Sequence, residues 1–349
     1  MDGLILEYRD PLFSILLLLI FVFVISFLTY SFTLYKEKKS RKEYNKLLKK
    51  FQLGKLKEND YIHLYKTYNI PFDSIILLAT TFLHKGDYNK SISVYLSLLE
   101  VVNDKVKKEE LLELLGSTYF KGGFLQRSKE VFLKIIKFSP RNKLALKHLL
   151  LSYEKLNQYD KAIDVINSLE ELNVDIYLEK SYINALQIIN HATTSFNKKL
   201  QLLMDLFKKN EFTQRIIIEY LLKFDKNFFW NNIKLFDKDK FIDLLWYLSF
   251  DDINFDIVNQ NDFLSELYSA KGYINSKNKS DIFELNILIL LNQNKQLNKA
   301  ELNFEFVCKK CKHIFPIYDH RCHNCHDILS FETQLELTKN VSQENQSLQ

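Results

Sequence analysis

The N-terminal part of the chain contains one long apolar stretch. No residue between Asp10 and Lys36 carries a charge, and this stretch begins PLFSILLLLIFVFVISFLTYSF. About 20 helical residues, at about 1.5 Å each, cross a hydrocarbon core of about 30 Å. A helix that is apolar all round for this length is typical of a membrane span, whereas the acidic leader MDGLILEYRD does not resemble a cleaved signal peptide. We therefore predict an N-terminal segment and transmembrane helix over residues 1–35.

A second pattern repeats along the middle of the chain. A 34-residue unit carries Leu112, Leu115, Gly116, Tyr119, Ser128, Phe132, Ile135 and Pro140 at positions 4, 7, 8, 11, 20, 24, 27 and 32. The same positions recur 34 residues later in Leu146, Leu149, Leu150, Tyr153, Ala162, Ile166 and Leu169, and 37 residues earlier in Ala79, Phe82, Ser91, Tyr95 and Leu98. This spacing is the tetratricopeptide (TPR) pattern, in which each unit is a helical hairpin. Three such units are predicted over residues 72–176.

The repeat has a mechanical basis. Small residues at positions 8 and 20 let two helices approach closely, and large residues at positions 24 and 27 fill the space beneath them. Helical patterning continues in SYINALQIINHA, KKLQLLMDLF, TQRIIIEYLLKF, DKFIDLLWYLS and IFELNILILLN, although the register is lost. Residues 177–300 are therefore predicted to form degenerate TPR-like hairpins.

A stack of such hairpins presents a concave surface that binds peptides or proteins. The first-helix residues predicted to face this groove are His84, Phe120, Lys121, Lys147, Glu154 and Lys155. The simpler interpretation of each of them is a solvated or packing position. We give them as a candidate partner-binding surface.

All four cysteines fall in CKKCKHIFPIYDHRCHNC. Cys308 and Cys311 form one C-x-x-C knuckle, and Cys322 and Cys325 form another after ten intervening residues. Two facing knuckles give a tetrahedral four-sulfur site, whose closed shell disfavours hydrolytic chemistry and favours a structural metal. Zn²⁺ is the expected ion and iron is the alternative. The metal domain is predicted over residues 301–332, with short strands around the knuckles and a disordered tail over 333–349.

Four histidines, His313, His320, His323 and His326, crowd the same segment. Because four cysteines already complete a tetrahedral shell, we expect these histidines to lie on the surface. Positive and negative charges are mixed over residues 301–332, so no nucleic-acid-binding face is expected.

Charge then sets the orientation. The net charge is +5, and residues 36–50 (KEKKSRKEYNKLLKK) hold eight Lys or Arg against two Glu. The positive-inside bias predicts an N-terminus outside the cytoplasm and a cytoplasmic bulk, and a cysteine quartet in a reducing compartment favours a metal site over disulfides. Residues 36–71 are predicted to form a basic juxtamembrane helix or linker, which acts as a topology signal and alternatively also touches anionic headgroups.

The order of parts, with C-x2-C-x10-C-x2-C near the end, resembles the lipopolysaccharide assembly protein B (LapB, YciM) family of Gram-negative bacteria. The resemblance implies a mainly α fold with an N-terminal transmembrane helix, a TPR-type α-solenoid and a small C-terminal rubredoxin-like zinc ribbon. It also implies an inner-membrane adaptor with Cys308, Cys311, Cys322 and Cys325 as metal ligands. In that family the adaptor helps the membrane protease FtsH control the deacetylase LpxC and so regulates lipopolysaccharide synthesis.

The chain departs from the family pattern near the knuckles. Lys312 stands where glycine is common after the second cysteine, His323 where proline is common after the third, and Ile328 where an aromatic residue is expected. The position after a knuckle often needs a positive φ, where lysine costs more than glycine.

Two functional classes remain open. The first is a non-enzymatic, membrane-tethered adaptor, and the alternative is a rubredoxin-like iron protein that transfers electrons. The sequence contains no G-x-x-x-x-G-K-[ST], G-x-G-x-x-G, H-E-x-x-H or G-x-S-x-G motif, so an enzyme is not expected. The sequence does not specify the client or the oligomeric state.

Overall fold

The structure is a computed structural model that describes residues 11–52, 55–68, 70–293 and 300–339. These residues form sixteen α-helices, four short 3-10 helices and one three-stranded sheet at the C-terminal end. The chain divides into two compact units, Met1–Ser152 and Tyr153–Gln349. The predicted mainly helical architecture is confirmed at this level.

Helix α1 (Pro11–Gln52) is long and apolar enough to cross a membrane. The large apolar side chains along its first part, from Ile15 to Tyr35, are almost all exposed, as expected of a helix whose solvent is not water. The predicted boundary at residue 35 is not a break in structure, because the helix continues through the basic run. The predicted N-terminal segment over residues 1–10 lies outside the described residues.

The rest of the first unit is helical. Its helices are α2 (Glu58–Thr67), α3 (Phe72–His84), α4 (Tyr88–Val101), α5 (Lys105–Lys121), α6 (Leu125–Phe138) and α7 (Lys143–Lys155), the last of which ends beyond Ser152. The fully buried side chains Ala79, Tyr95, Leu98 and Leu111 form the centre of the α2–α5 core.

One turn geometry recurs where paired helices are joined. In the first unit, Gly86 and Gly123 adopt φ of 77° and 79°. The amide after each glycine donates a hydrogen bond back across the turn, from Asp87 to the Phe82 carbonyl at 2.9 Å and from Phe124 to the Tyr119 carbonyl at 2.8 Å. In the second unit, Asn157 (φ 56°) heads the same turn, with the Gln158 amide donating to the Tyr153 carbonyl at 2.9 Å. This is a Schellman helix ending, which needs a residue that tolerates the left-handed region.

The α5–α6 hairpin brings two backbones close together at a small residue. A Cβ atom on Gly116 would lie 2.7 Å from Cζ of Phe132, closer than non-bonded carbon atoms approach. The Ser128 hydroxyl donates to the Gly116 carbonyl at 2.9 Å. The two small positions of the repeat are therefore in direct contact in this hairpin.

The second unit continues with nine further helices in the described residues, of which those between residues 226 and 258 are the shortest. They are α8 (Tyr159–Glu171), α9 (Tyr177–Asn190), α10 (Phe196–Lys209), α11 (Gln214–Phe224), α12 (Lys226–Asn231), α13 (Ile242–Trp246), α14 (Phe255–Val258), α15 (Asp262–Ala270) and α16 (Phe283–Gln293). The 3-10 helices are Glu211–Thr213, Ile233–Leu235, Lys238–Phe241 and Phe250–Asp252. The helical patterning of DKFIDLLWYLS corresponds in the structure to a 3-10 turn followed by the five-residue α13. Regular hairpins therefore do not extend over residues 226–258, and residues 294–299 lie outside the described part.

The C-terminal sheet has the order β2-β1-β3, with β1 (Ala300–Cys308) in the centre, β2 (Ile314–Phe315) and β3 (Phe331–Lys339). Strand β1 pairs antiparallel with β3 along its whole length, from Ala300 opposite Lys339 to Cys308 opposite Phe331. The predicted disordered tail from Thr333 is therefore wrong as far as Lys339, because this polar segment completes the sheet. Its last residues, 340–349, lie outside the described part.

Replacing Gly116 with alanine tests the close approach within the α5–α6 hairpin. We expect Gly116→Ala to destabilise the full chain by about 1–3 kcal/mol, because Phe132 must move out of a filled space. Thermal loss of helical circular dichroism in detergent measures this. Glu110→Ala, on the exposed face of the same helix, is the control, and equal midpoints for the two variants would show that the contact is not tight.

Candidate metal centre

The first cysteine knuckle follows directly from strand β1, which ends at Cys308. The Lys312 amide donates to the Cys308 carbonyl at 2.8 Å, and the Cys308 amide donates to the His313 carbonyl at 3.0 Å. Lys312 has a φ of 60°, as the sequence predicted for the position after the knuckle. A lysine there carries the strain that a glycine would avoid.

The second knuckle repeats this arrangement around Cys322. The His326 amide donates to the Cys322 carbonyl at 2.9 Å, and the Cys322 amide donates to the Asp327 carbonyl at 2.8 Å. His326 has a φ of 60° and occupies the place that Lys312 has in the first knuckle. The two halves of the site are therefore built by the same local chemistry.

The four cysteine sulfurs lie close together around one central position. The Sγ atoms of Cys308 and Cys325 are 3.7 Å apart, those of Cys311 and Cys322 are 3.6 Å apart, and all four lie within 4.8 Å of one another. A tetrahedral ion with bonds of about 2.3 Å to sulfur separates its ligands by roughly 3.8 Å. A disulfide would need about 2.05 Å, and all four thiols are free.

Local hydrogen bonds prepare one thiol for ionisation. Burial alone would raise the pKa of Cys308, but the backbone amides of Cys311 and Lys310 and the Ser330 hydroxyl stabilise its thiolate and lower the pKa to about 6. Burial raises the pKa of Cys325 to about 12. A cation at the centre would supply the charge that the remaining sulfurs need in order to lose their protons.

These residues fit a resident metal ion. Four sulfurs fill a tetrahedral shell, so no position stays open for water or substrate, and an ion bound there supplies cross-linking of the two knuckles. The same donor set suits zinc and iron. The spacing therefore predicted a site that the fold assembles, without deciding which metal it holds.

The four neighbouring histidines do not share one environment. His313 and His323 are exposed, as expected. The expectation is wrong for the other two: His326 is half-buried, and the side chain of His320 is only 14% exposed, with its Nε2 2.8 Å from a carboxylate oxygen of Glu219. His320 is thus used in packing against helix α11.

A buried ion pair joins the second knuckle to the helices of the same unit. The Arg321 guanidinium donates from Nε to the Glu154 carboxylate at 3.0 and 2.9 Å, and its Nη2 lies 2.7 Å from the same group. Both side chains are 5% exposed. Arg321 also donates from Nη1 to the His326 carbonyl at 2.7 Å and lies over the Tyr182 ring. Arg321 therefore links the knuckle backbone to helices α7 and α9.

A second arginine approaches the metal region from the helical side. Arg215 of α11 forms a bidentate pair with Asp243, with Nη1 2.9 Å from Oδ1 and Nη2 2.5 Å from Oδ2. Its guanidinium stacks on the Tyr318 ring, 3.5 Å from the centroid. Burial raises the pKa of Tyr318, although the charge of Arg215 opposes this. The segment between the knuckles is therefore held against α11 by the contact between Tyr318 and Arg215.

The residues predicted to face a partner differ in their exposure. Lys121 and Lys147 are exposed, His84 is exposed at the end of α3, and Phe120 is half-buried. Glu154 corrects the prediction, because its carboxylate is buried against Arg321 of the same chain.

Lys155, like Glu154, contacts the metal region of the same chain. Its ammonium lies 3.9 Å from the Asp319 carboxylate, although the side chain stays partly exposed. Both residues at this end of α7 therefore contact the chain's own metal region.

Sequence reasoning missed four charged residues that hold this region against the helices: Arg215, Glu219, Asp243 and Arg321. It gave a fifth, Glu154, a partner-binding role instead. The one available signal was an arginine directly before the first cysteine of a knuckle, in a segment too small for a core of its own. No protein-family model matches the chain, and no curated protein matches it significantly.

Metal analysis tests the ligand set. We expect the purified full chain to hold a single metal ion per molecule and the variant Cys308→Ser with Cys311→Ser to lose it, because two sulfurs cannot close the shell. His313→Ala with His323→Ala, which changes exposed neighbours of the ligands, is the matched control. Metal loss in the control would place histidine among the ligands.

The Arg321–Glu154 pair is tested by removing one charge. Glu154→Gln should lower the stability of the packing between the second knuckle and α7 by about 3–5 kcal/mol, because it leaves Arg321 buried without a counter-charge. Faster hydrogen exchange of the amides of residues 321–327 measures this. Lys155→Ala breaks only the longer, exposed contact with Asp319 and should change exchange little. Equal exchange in the two variants would contradict the assignment.

Proposed function

We propose that this protein is a membrane-anchored, non-enzymatic scaffold that holds protein partners on a TPR-type helical array braced by a metal domain. The observation that carries the proposal is the closed four-sulfur cluster packed against helices by the buried Arg321–Glu154 pair. A metal with a filled shell stabilises a fold rather than acting on a substrate.

The TPR interpretation is supported by the recurring turn at Gly86, Gly123 and Asn157. The direct contact between Gly116 and Ser128 further supports it. Arrays of this kind bind extended peptides and protein surfaces. Lys121 and Lys147 remain candidate contacts for such a partner.

The proposed location is a bacterial inner membrane, with the N-terminus periplasmic and the metal domain cytoplasmic. Helix α1 supports a single span, and its basic continuation supports this orientation. Tethering raises the effective concentration of partners in the same membrane.

The resemblance to the lipopolysaccharide assembly protein B family suggests a more specific role. In this proposal the chain assists a membrane protease such as FtsH in controlling LpxC, and so adjusts lipopolysaccharide synthesis. The rubredoxin-like arrangement of two equivalent knuckles on an antiparallel sheet supports it.

Electron transfer is the second candidate, since a four-cysteine site equally suits iron. An absorption spectrum of the protein purified from its native host separates the two, because zinc is colourless and redox-silent. A reversible iron signal would favour the electron-transfer function.

Crosslinked affinity capture from native membranes tests the scaffold. We expect the wild-type chain to recover specific membrane proteins, and the variant Cys308→Ser with Cys311→Ser to lose them, because the metal domain is no longer held. His313→Ala with His323→Ala should retain them. Unchanged capture by the metal-free variant would refute a role of the metal domain, and reproducible absence of a protease and lipopolysaccharide enzymes would refute the specific role.

A further inference from the structure

The part of α1 beyond its apolar stretch is fixed to the array along one face. Leu47 is buried, and the Tyr68 hydroxyl donates to the Ser40 carbonyl at 3.2 Å. The rings of Tyr44 and Tyr68 lie 5.2 Å apart, and Lys50 donates to Asp60 at 2.9 Å. These contacts set which side of α1 faces away from the array.

The opposite face carries a row of lysines. Successive helical residues turn by about 100°, so Lys38, Lys42, Lys46 and Lys49 fall within about 80° of one another. Their mean direction is opposite to that of Tyr44 and Leu47. We call these four lysines the basic stripe.

The basic stripe is exposed. None of its four lysines makes an ion pair with another group of the described residues, and the acids of the same run, Glu37 and Glu43, lie outside the stripe. Arg41 and Lys39 flank the stripe on either side. Because α1 is one uninterrupted helix, the four charges keep a fixed spacing of i, i+4, i+8 and i+11.

The stripe is too long for lipid headgroups alone. At about 1.5 Å per residue, Lys49 lies about 21 Å beyond Tyr35, the last residue of the uncharged apolar stretch. The headgroup layer is about 5–7 Å deep and the screening length about 8 Å, so charges beyond about 15 Å are not reached. A tilt of about 20° changes this little. Lys38 and Lys42 lie close enough to contact lipid headgroups, whereas Lys46 and Lys49 lie in water beyond their reach.

We propose that the basic stripe binds an acidic helix of another membrane protein, which runs beside α1 just below the bilayer. This inference rests on the proposed membrane anchoring. Acidic side chains at the same i, i+4, i+8 and i+11 spacing would pair with the four lysines along two parallel or antiparallel helices. A second copy of this chain does not fit, because two stripes would repel each other.

The first test uses the full chain in nanodiscs of zwitterionic lipid. The probe is a helical alanine-based peptide with four glutamates at the spacing of the stripe. Lys42→Gln with Lys46→Gln and Lys49→Gln should weaken binding about tenfold, since three exposed ion pairs are lost. This variant keeps Lys36, Lys38, Lys39 and Arg41 beside the span, so its orientation should be unchanged.

The control is Lys134→Gln with Lys137→Gln, which removes exposed charges from α6 and should leave peptide binding unchanged. Equal affinity of the stripe variant and the wild type would overturn the proposal. A chain that does not enter nanodiscs at all would refute the membrane anchoring instead, so the two failures are distinguishable.

The second test identifies the natural occupant. A photoreactive residue at Asn45, which lies on the exposed side of α1 next to Lys46, is crosslinked in native membranes. We expect crosslinks that map to an acidic segment next to a transmembrane helix, and their loss when the three lysines are replaced. Crosslinks to lipid or nucleic acid alone, or protein crosslinks that persist in the stripe variant, would refute the proposal.

Discussion

The C-terminal region depends on the convergence of four sulfurs. A sheet with a two-residue edge strand and two turns buries few side chains of its own, and a segment of this size does not fold on hydrophobic burial alone. The knuckles bring Cys308 and Cys322 into equivalent hydrogen-bonded turns, and a bound cation would offset the cost of placing four thiolates together. The remaining stability must come from the surfaces on which this region packs.

Those surfaces are charged, which is unusual for a fixed contact. Desolvation makes a buried ion pair a poor source of net stability, and an apolar replacement is often as stable. The Arg321–Glu154 pair instead fixes direction, because a planar guanidinium donates to a carboxylate in few orientations. Since Arg321 also holds the His326 carbonyl, the second knuckle and α7 share one hydrogen-bonded group. We infer that this pair determines where the metal region sits on α7.

Local patterns in the sequence predicted the parts that local physics controls. Helix periodicity located α3 to α11, and the cysteine spacing located the ligands, because both arise from residues close in the chain. Strand β3 was missed because a polar segment such as TQLELTK becomes a strand only when β1 lies beside it. Glu154 was misplaced for a related reason: periodicity gives the face of a helix, but not what covers that face. The short helices over residues 226–258 carry apolar residues without a lasting period, so their bounds come from packing around side chains such as Phe229 and Phe241.

The continuity of α1 constrains the orientation of the first unit relative to the apolar part of the same helix. A flexible linker after the span would let the first unit rotate freely below the membrane. Here the helix passes without interruption from apolar residues to the buried Leu47 and to Lys50, which donates to Asp60 of α2. The direction of the basic stripe, the depth of each lysine and the attachment of the array are therefore coupled through one rigid element. A partner that engages the stripe thereby also orients the helical hairpins of the first unit, because both are fixed to α1.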